Sequence, residues 1–185
     1  MESSTIERTG KYSSPSYRFL IKTEDTILLA VNIQEDLVAA MEPGSRETFL
    51  CNCRILVKTA RELDIPVIIS EQMPARFGKT RQDILDLAGN ATRISKLKFS
   101  CWREGRIMSE IRKSGRKTVI VIGVEAHVCV LMSVMDLMVT GHTAVVAVDA
   151  PVESSTELTS CSGQFARQPP KARWFSAPIN FTSRR

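Results

Sequence analysis

Four short, unbroken apolar runs set the first limit on what this chain can fold into. They are residues 26–33 (TILLAVNI), 66–70 (PVIIS), 118–123 (TVIVIG) and 143–148 (TAVVAV). Each has the length of a strand. None alternates polar with apolar residues, so each reads as a strand buried on both faces. Between them lie segments with helical spacing. Residues 46–63 place Phe49, Ile55, Leu56, Ala60 and Leu63 in that pattern, and 81–87 is a shorter example. Residues 103–114 close at Gly115, and 126–140 close at Gly141, where a C-terminal cap belongs. Strands alternating with helices build parallel crossover units. The expected fold class is α/β, a three-layer α/β/α sandwich around a mainly parallel, Rossmann-like sheet. Ligands in such sheets bind beyond the carboxyl ends of the strands. That directs attention to residues 32–36, 70–72, 96–100, 124–129 and Asp149.

At 185 residues the chain has the size of one domain. Residues 1–24 are polar and read as a flexible N-terminal arm, 25–153 as the folded domain, and 154–185 as a divergent basic tail. After Glu157 no acidic residue occurs, and Arg167, Lys171, Arg173, Arg184 and Arg185 equal the whole net charge of +5. A cationic tail raises nucleic acid as a partner. Trp174, Phe175 and Phe181 among its aromatic residues make a poor stacking platform, so nucleic-acid binding is set aside in favour of a solvated terminus. The tail also lacks a further helix-plus-strand pattern, which would leave a sheet edge uncovered. No run approaches the ~18 apolar residues of a membrane span. The first residues do not form a secretory signal. Five cysteines, an odd number, fit no disulfide framework and point to reduced thiols in the cytoplasm.

The sharpest local feature is residues 123–142, GVEAHVCVLMSVMDLMVTGH. A strand ends at Gly123, a turn follows, and Cys129 falls in the first turns of the next helix. Free amides and partial positive charge at a helix start favour a thiolate and a developing oxyanion. Placement alone leaves a packed cysteine as the ordinary alternative.

The segment G-V-E-A-H-V-C-V, followed by the Asp149-Ala150 pair at the end of the next strand, resembles the isochorismatase-like cysteine hydrolases. Other landmarks occur in order. Residues 32–37 (NIQEDL) match a D-x-Q-x-x-(F/L) pattern. Lys96-Leu97-Lys98-Phe99-Ser100, with Trp102 beyond, matches K-x-x-x-S plus an aromatic. Residues 65–78 (IPVIISEQMPARFG) resemble the metal-free branch. The resemblance covers about residues 24–153. It implies a Cys-Lys-Asp triad in which Cys129 attacks a carbonyl carbon and Lys96 stabilises the sulfur and places the acid. It further implies an oxyanion hole from the amides of Glu125 and Cys129, with a cis peptide before Glu125.

At the family's acid position this chain carries Asn32. A carboxamide keeps a hydrogen bond but cannot act as a base near neutral pH. Asp36 and Glu125 are the neighbouring carboxylates, the first more simply an early-helix residue and the second at a variable position. The resulting reading is a hydrolase of small amide, carbamoyl or related substrates, with Cys129, Lys96 and Asn32 as site residues. The alternative is a catalytically impaired homologue serving as a binding or assembly module. No cofactor and no metal are expected. His127 and His142 stand a helix apart, and Cys51 and Cys53 would point about 200° apart on a helix. Lys98 would face solvent if Lys96 points inward. Expected partners are a small-molecule substrate and a second copy in a homo-oligomer; a membrane is not expected.

Overall fold

The computed structural model describes residues 21–147 and strand Ala172–Phe175. A short 3-10 turn, Thr23–Asp25, leads into β1 (Thr26–Val31). Then come α1 (Glu35–Ala39), α2 (Pro43–Glu62), β2 (Val67–Gln72), α3 (Pro74–Phe77), α4 (Gln82–Ala88) and β3 (Thr92–Lys96). The second half holds α5 (Gly105–Ser114), β4 (Thr118–Gly123), a π turn (Ala126–Val130), α6 (Leu131–Val139), β5 (Thr143–Ala147) and β6 (Ala172–Phe175). All pairings between neighbouring strands are parallel, in the order β3-β2-β1-β4-β5-β6. The α/β sandwich read from the sequence is the fold observed.

Two apolar layers flank the sheet. Phe49, Leu50, Cys53, Val57 and Ala60 form one stripe of α2 and, with Ile84 and Ala88 of α4, cover Leu28, Ala30 and Ile69. On the other face Ile107 and Ile111 of α5, with Val134 and Leu137 of α6, cover Leu29, Val31, Ile68, Val119 and Val121. Pro43 opens α2 at a position where its missing N–H costs nothing. Gly115, at φ 68°, closes α5.

Two strands depart from the sequence reading. β3 (TRISK) buries only Ile94 and Lys96, so it carries no apolar run. β6 pairs with β5 from Ala144↔Ala172 to Ala147↔Phe175, so the edge of β5 expected to be bare is paired. The proposed boundaries at residues 24 and 153, and the Asp149-Ala150 pair, fall in or beside segments outside the described residues. No helix among the described residues is long and apolar enough to cross a membrane.

The strand order reverses between β1 and β4, the place where open α/β sheets bind ligands. There Gly123, at φ 130°, lies so close to β1 that a Cβ would sit 1.9 Å from the Val31 carbonyl oxygen. The neighbouring Val124 N–H donates to that same oxygen at 2.9 Å.

Candidate active site

Strand alternation selects the side chains that meet at this end of the sheet. On β2, Ile68, Ser70 and Gln72 face the α5–α6 layer, while Ile69 and Glu71 face the α2 layer. Lys96 follows Ile94 on the same face of β3.

Lys96 is 2% exposed. Its Nζ donates to Gln72 Oε1 at 2.6 Å and to the carbonyls of Lys98 and Phe99 at 3.0 Å each. Cys129 Sγ lies 3.6 Å away. The loop after β3 thus turns two carbonyls inward, while the side chains of Leu97, Lys98 and Phe99 stay exposed. Gln72 is itself clamped. Its N–H donates to Gln34 Oε1 at 2.6 Å, and Gln34 Nε2 donates back to Gln72 O at 3.0 Å and to Gly78 O at 2.6 Å. The Gln72 carboxamide also donates to Leu97 O at 3.1 Å.

Cys129 is 5% exposed and sits in the π turn, not in the first turns of one helix over 126–140. The Val130 N–H reaches Glu125 O, five residues back, at 3.1 Å, and regular α-helix begins at Leu131. Such wide turns insert one residue and recur at functional sites. The Val124–Glu125 peptide is cis. The Glu125 side chain is exposed, 3.8 Å from His127 Nε2.

Asn32, one residue beyond β1, is 1% exposed with φ 51°. Its N–H donates to Ser70 O at 2.9 Å, and its Oδ1 accepts a long hydrogen bond from Ser70 Oγ at 3.4 Å. Cys101 Sγ donates to Ser70 Oγ at 3.3 Å. Burial pushes the Cys101 thiol up, which keeps its proton in place. The Cys101 N–H donates to Ser133 Oγ at 2.8 Å, and that hydroxyl donates to Cys129 O at 2.6 Å. A buried network therefore runs from Asn32 to the backbone of Cys129.

The structure brings Lys96 and Cys129 together and leaves others out. Asp36 is exposed on α1. His142 packs edge-on against Trp102, with ring centroids 4.9 Å apart, and stands before β5 at the opposite end of the sheet. Cys51 is exposed and Cys53 buried on α2. Among the described residues no three His, Cys, Asp or Glu side chains are grouped to hold a metal. The supporting residues Gln34, Ser70, Gln72, Cys101 and Ser133 were not singled out as site residues from the sequence. The available signal was Ser70 and Gln72, two polar residues two apart at the end of an apolar run.

Residues 26–167 match the family model described as Isochorismatase domain. Isochorismatase domain-containing protein 1 of Salmo salar is 36% identical over 95 residues, 51% of this chain and 33% of that protein. The MAR1 ribonuclease structure from Caenorhabditis elegans superposes with a TM-score of 0.70 at 29% identity, covering 78% of this chain and 73% of that one. The YcaC gene product of Escherichia coli, described as an octameric hydrolase of unknown specificity, gives a TM-score of 0.74 at 19% identity, covering 83% and 77%. The chain spans about a third to a half of the length of the first curated relatives it matches, from 33% to 49%.

Proposed function

The chain belongs to the isochorismatase domain family, and from that membership we propose that it is a cysteine hydrolase of small amide, carbamoyl or related carbonyl compounds, with Cys129 as nucleophile. The observation that carries this reading is the Lys96 ammonium 3.6 Å from Cys129 Sγ. Unit charges about 4 Å apart interact by about 4 kcal/mol at the effective dielectric of a protein. A cation at that distance stabilises the negative charge that the sulfur carries as attacking and as leaving group. The sulfur adds to the carbonyl carbon, and the amides of Glu125 and Cys129 receive the oxyanion. The amine then leaves with a proton taken from solvent water, and a second water cleaves the acyl-sulfur bond, releasing the acid and restoring the Cys129 sulfur. No step is assigned to a metal or cofactor. The depth of Cys129 and Lys96 supports a small molecule over a polymer such as RNA.

One observation favours slow turnover. Asn32 is the side chain at the acid position, and it cannot carry the proton from sulfur to leaving group. Acylation without efficient release would make the site a covalent binder.

Peptide-resolved alkylation by iodoacetamide tests the nucleophile. Cys129 should react faster than the exposed Cys51, and Lys96→Gln should slow it by about tenfold, as expected when an adjacent cation is lost. Equal rates at the two cysteines, or no change in Lys96→Gln, would overturn the reading.

A further inference from the structure

A second polar recess lies at the end of the sheet opposite Cys129. It is a cleft of about 200 Å³ where α5 ends, β4 begins and α6 turns into β5. Trp102 and His142, each 8% exposed, form its buried part. Arg112, Arg116 and Lys117 line it as well, and no carboxylate does. The Arg112 guanidinium stands over the Trp102 ring, 5.2 Å from its centre. Arg116 is fixed through Nη1, which donates to Thr23 O at 2.5 Å and to Thr26 O at 2.7 Å. Thr140 Oγ1 donates to a carbonyl of α6, Asp136 O or Leu137 O at 2.9 Å, and lies 3.3 Å from His142 Nδ1. With the hydroxyl proton so used, Nδ1 is the donor of that pair and Nε2 is left to take up a proton.

The carbonyl end of α5 accounts for Arg112 in its last turn. It does not account for Arg116 and Lys117, which lie beyond the Gly115 cap. Carboxylates on the adjoining elements are engaged elsewhere. Asp25 accepts from Lys117 N–H and Thr118 Oγ1, Glu110 pairs with Lys113, and Asp136 is held by Arg103. Burial holds the His142 imidazole below its ordinary value, and Lys117 and Arg112 hold it down further. An anion in the cleft would relieve both the crowding of the cations and the cost of protonating the ring. Arginine forks match phosphate oxygens, and a lysine adds a point charge. The cleft is smaller than the roughly 300–1,000 Å³ of sites for drug-sized ligands, so it suits a small group.

We propose that this cleft binds a phosphate group, as the free ion or on a small monoester, between Arg112, Arg116 and Lys117 with His142 beside it. The site is separate from Lys96 and Cys129 and does not depend on the function proposed there.

The chain has two histidines, His127 and His142, so ring-proton NMR of the intact chain reads site and control together. His127 is exposed and outside the cleft. Inorganic phosphate and methyl phosphate are titrated in turn, at fixed pH and at constant ionic strength set with chloride. His142 signals should move along a saturating curve with half-saturation below about 10 mM, while His127 stays in place. In saturating phosphate the pH midpoint of His142 should rise. Arg112 and Lys117 are exposed, so replacing them leaves the core untouched. Arg112→Gln and Lys117→Gln should each raise the half-saturation by about fivefold, the scale of a partly exposed charge contact, and together abolish saturation. Tighter binding of methyl phosphate identifies a monoester, and tighter binding of phosphate the free ion. No saturation of His142 by about 10 mM with either probe would overturn the proposal. So would equal responses at the two histidines, or a half-saturation unchanged in the double variant.

Discussion

At the scale of single residues, Asn32 and His142 make the clearest predictions. Asn32 has the burial and backbone position of a working group but lacks a titratable proton. Asn32→Asp should raise steady-state hydrolysis of small amides by about 10²–10⁴, the usual worth of general acid–base assistance. In the native chain, mass spectrometry should instead show a one-to-one adduct at Cys129 with slow release. Equal turnover in the two proteins would mean that the proton travels by another route. His142 bears on stability. Burial holds its imidazole below the ordinary histidine value, and the positive charges of Lys117 and Arg112 add to that. Between the depressed value and about 6.5 the unfolded chain binds more protons than the folded one. Stability therefore rises with pH across that window and is lost as pH falls through it. Urea unfolding at about pH 5.5 and about pH 7.5 should show His142→Phe losing less stability on acidification than the native chain.

At the scale of elements, the π turn and the strand ends hold the site in shape. Ser133 on α6 joins the loop after β3 to the turn bearing Cys129 through its hydroxyl. Ser133→Ala should cost about 1–3 kcal/mol in chemical denaturation, because it strands the buried Cys101 N–H. It should also slow Cys129 alkylation. Gly123→Ala should be harsher, destabilising by at least about 3 kcal/mol, since its methyl group would collide with a backbone oxygen of β1 rather than with a side chain that can move. Four strands were legible in the sequence because the interior of a parallel sheet demands apolar residues on both faces. β3 was not, because an edge strand ending in a buried lysine reads as a cationic stretch. The π turn was also missed, since an extra residue in one turn leaves the apolar spacing of 126–140 almost intact. In the site, Cys129, Lys96 and Asn32 stood in a recognisable motif. Gln34, Ser70 and Gln72 lay in the strand-end segments that the sequence marks, but their roles, and the presence of Cys101 and Ser133, were not legible, because a polar residue announces a buried partner only once strand register has put the two together.

At the scale of the whole molecule, the sheet has β3 and β6 at its edges and β1 and β4 at its centre. Hydrogen exchange should follow that order, slowest in β1 and β4. Truncation after Lys171 removes β6 and bares the N–H and C=O groups of β5. Light scattering should then show association that grows with concentration, as exposed strand edges pair with one another. An unchanged monodisperse signal would mean that β6 does not protect that edge. The central pairing joins residues far apart in the chain, from Thr26↔Thr118 to Val31↔Gly123. During synthesis β1 can acquire β2 soon after it emerges, but its other neighbour is made about ninety residues later. Until then the most apolar strand of the molecule is an open flank on the nascent chain. The ribosome therefore completes the middle of this sheet only once β4 has emerged, and a chaperone that shields extended apolar segments has its longest task here at β1.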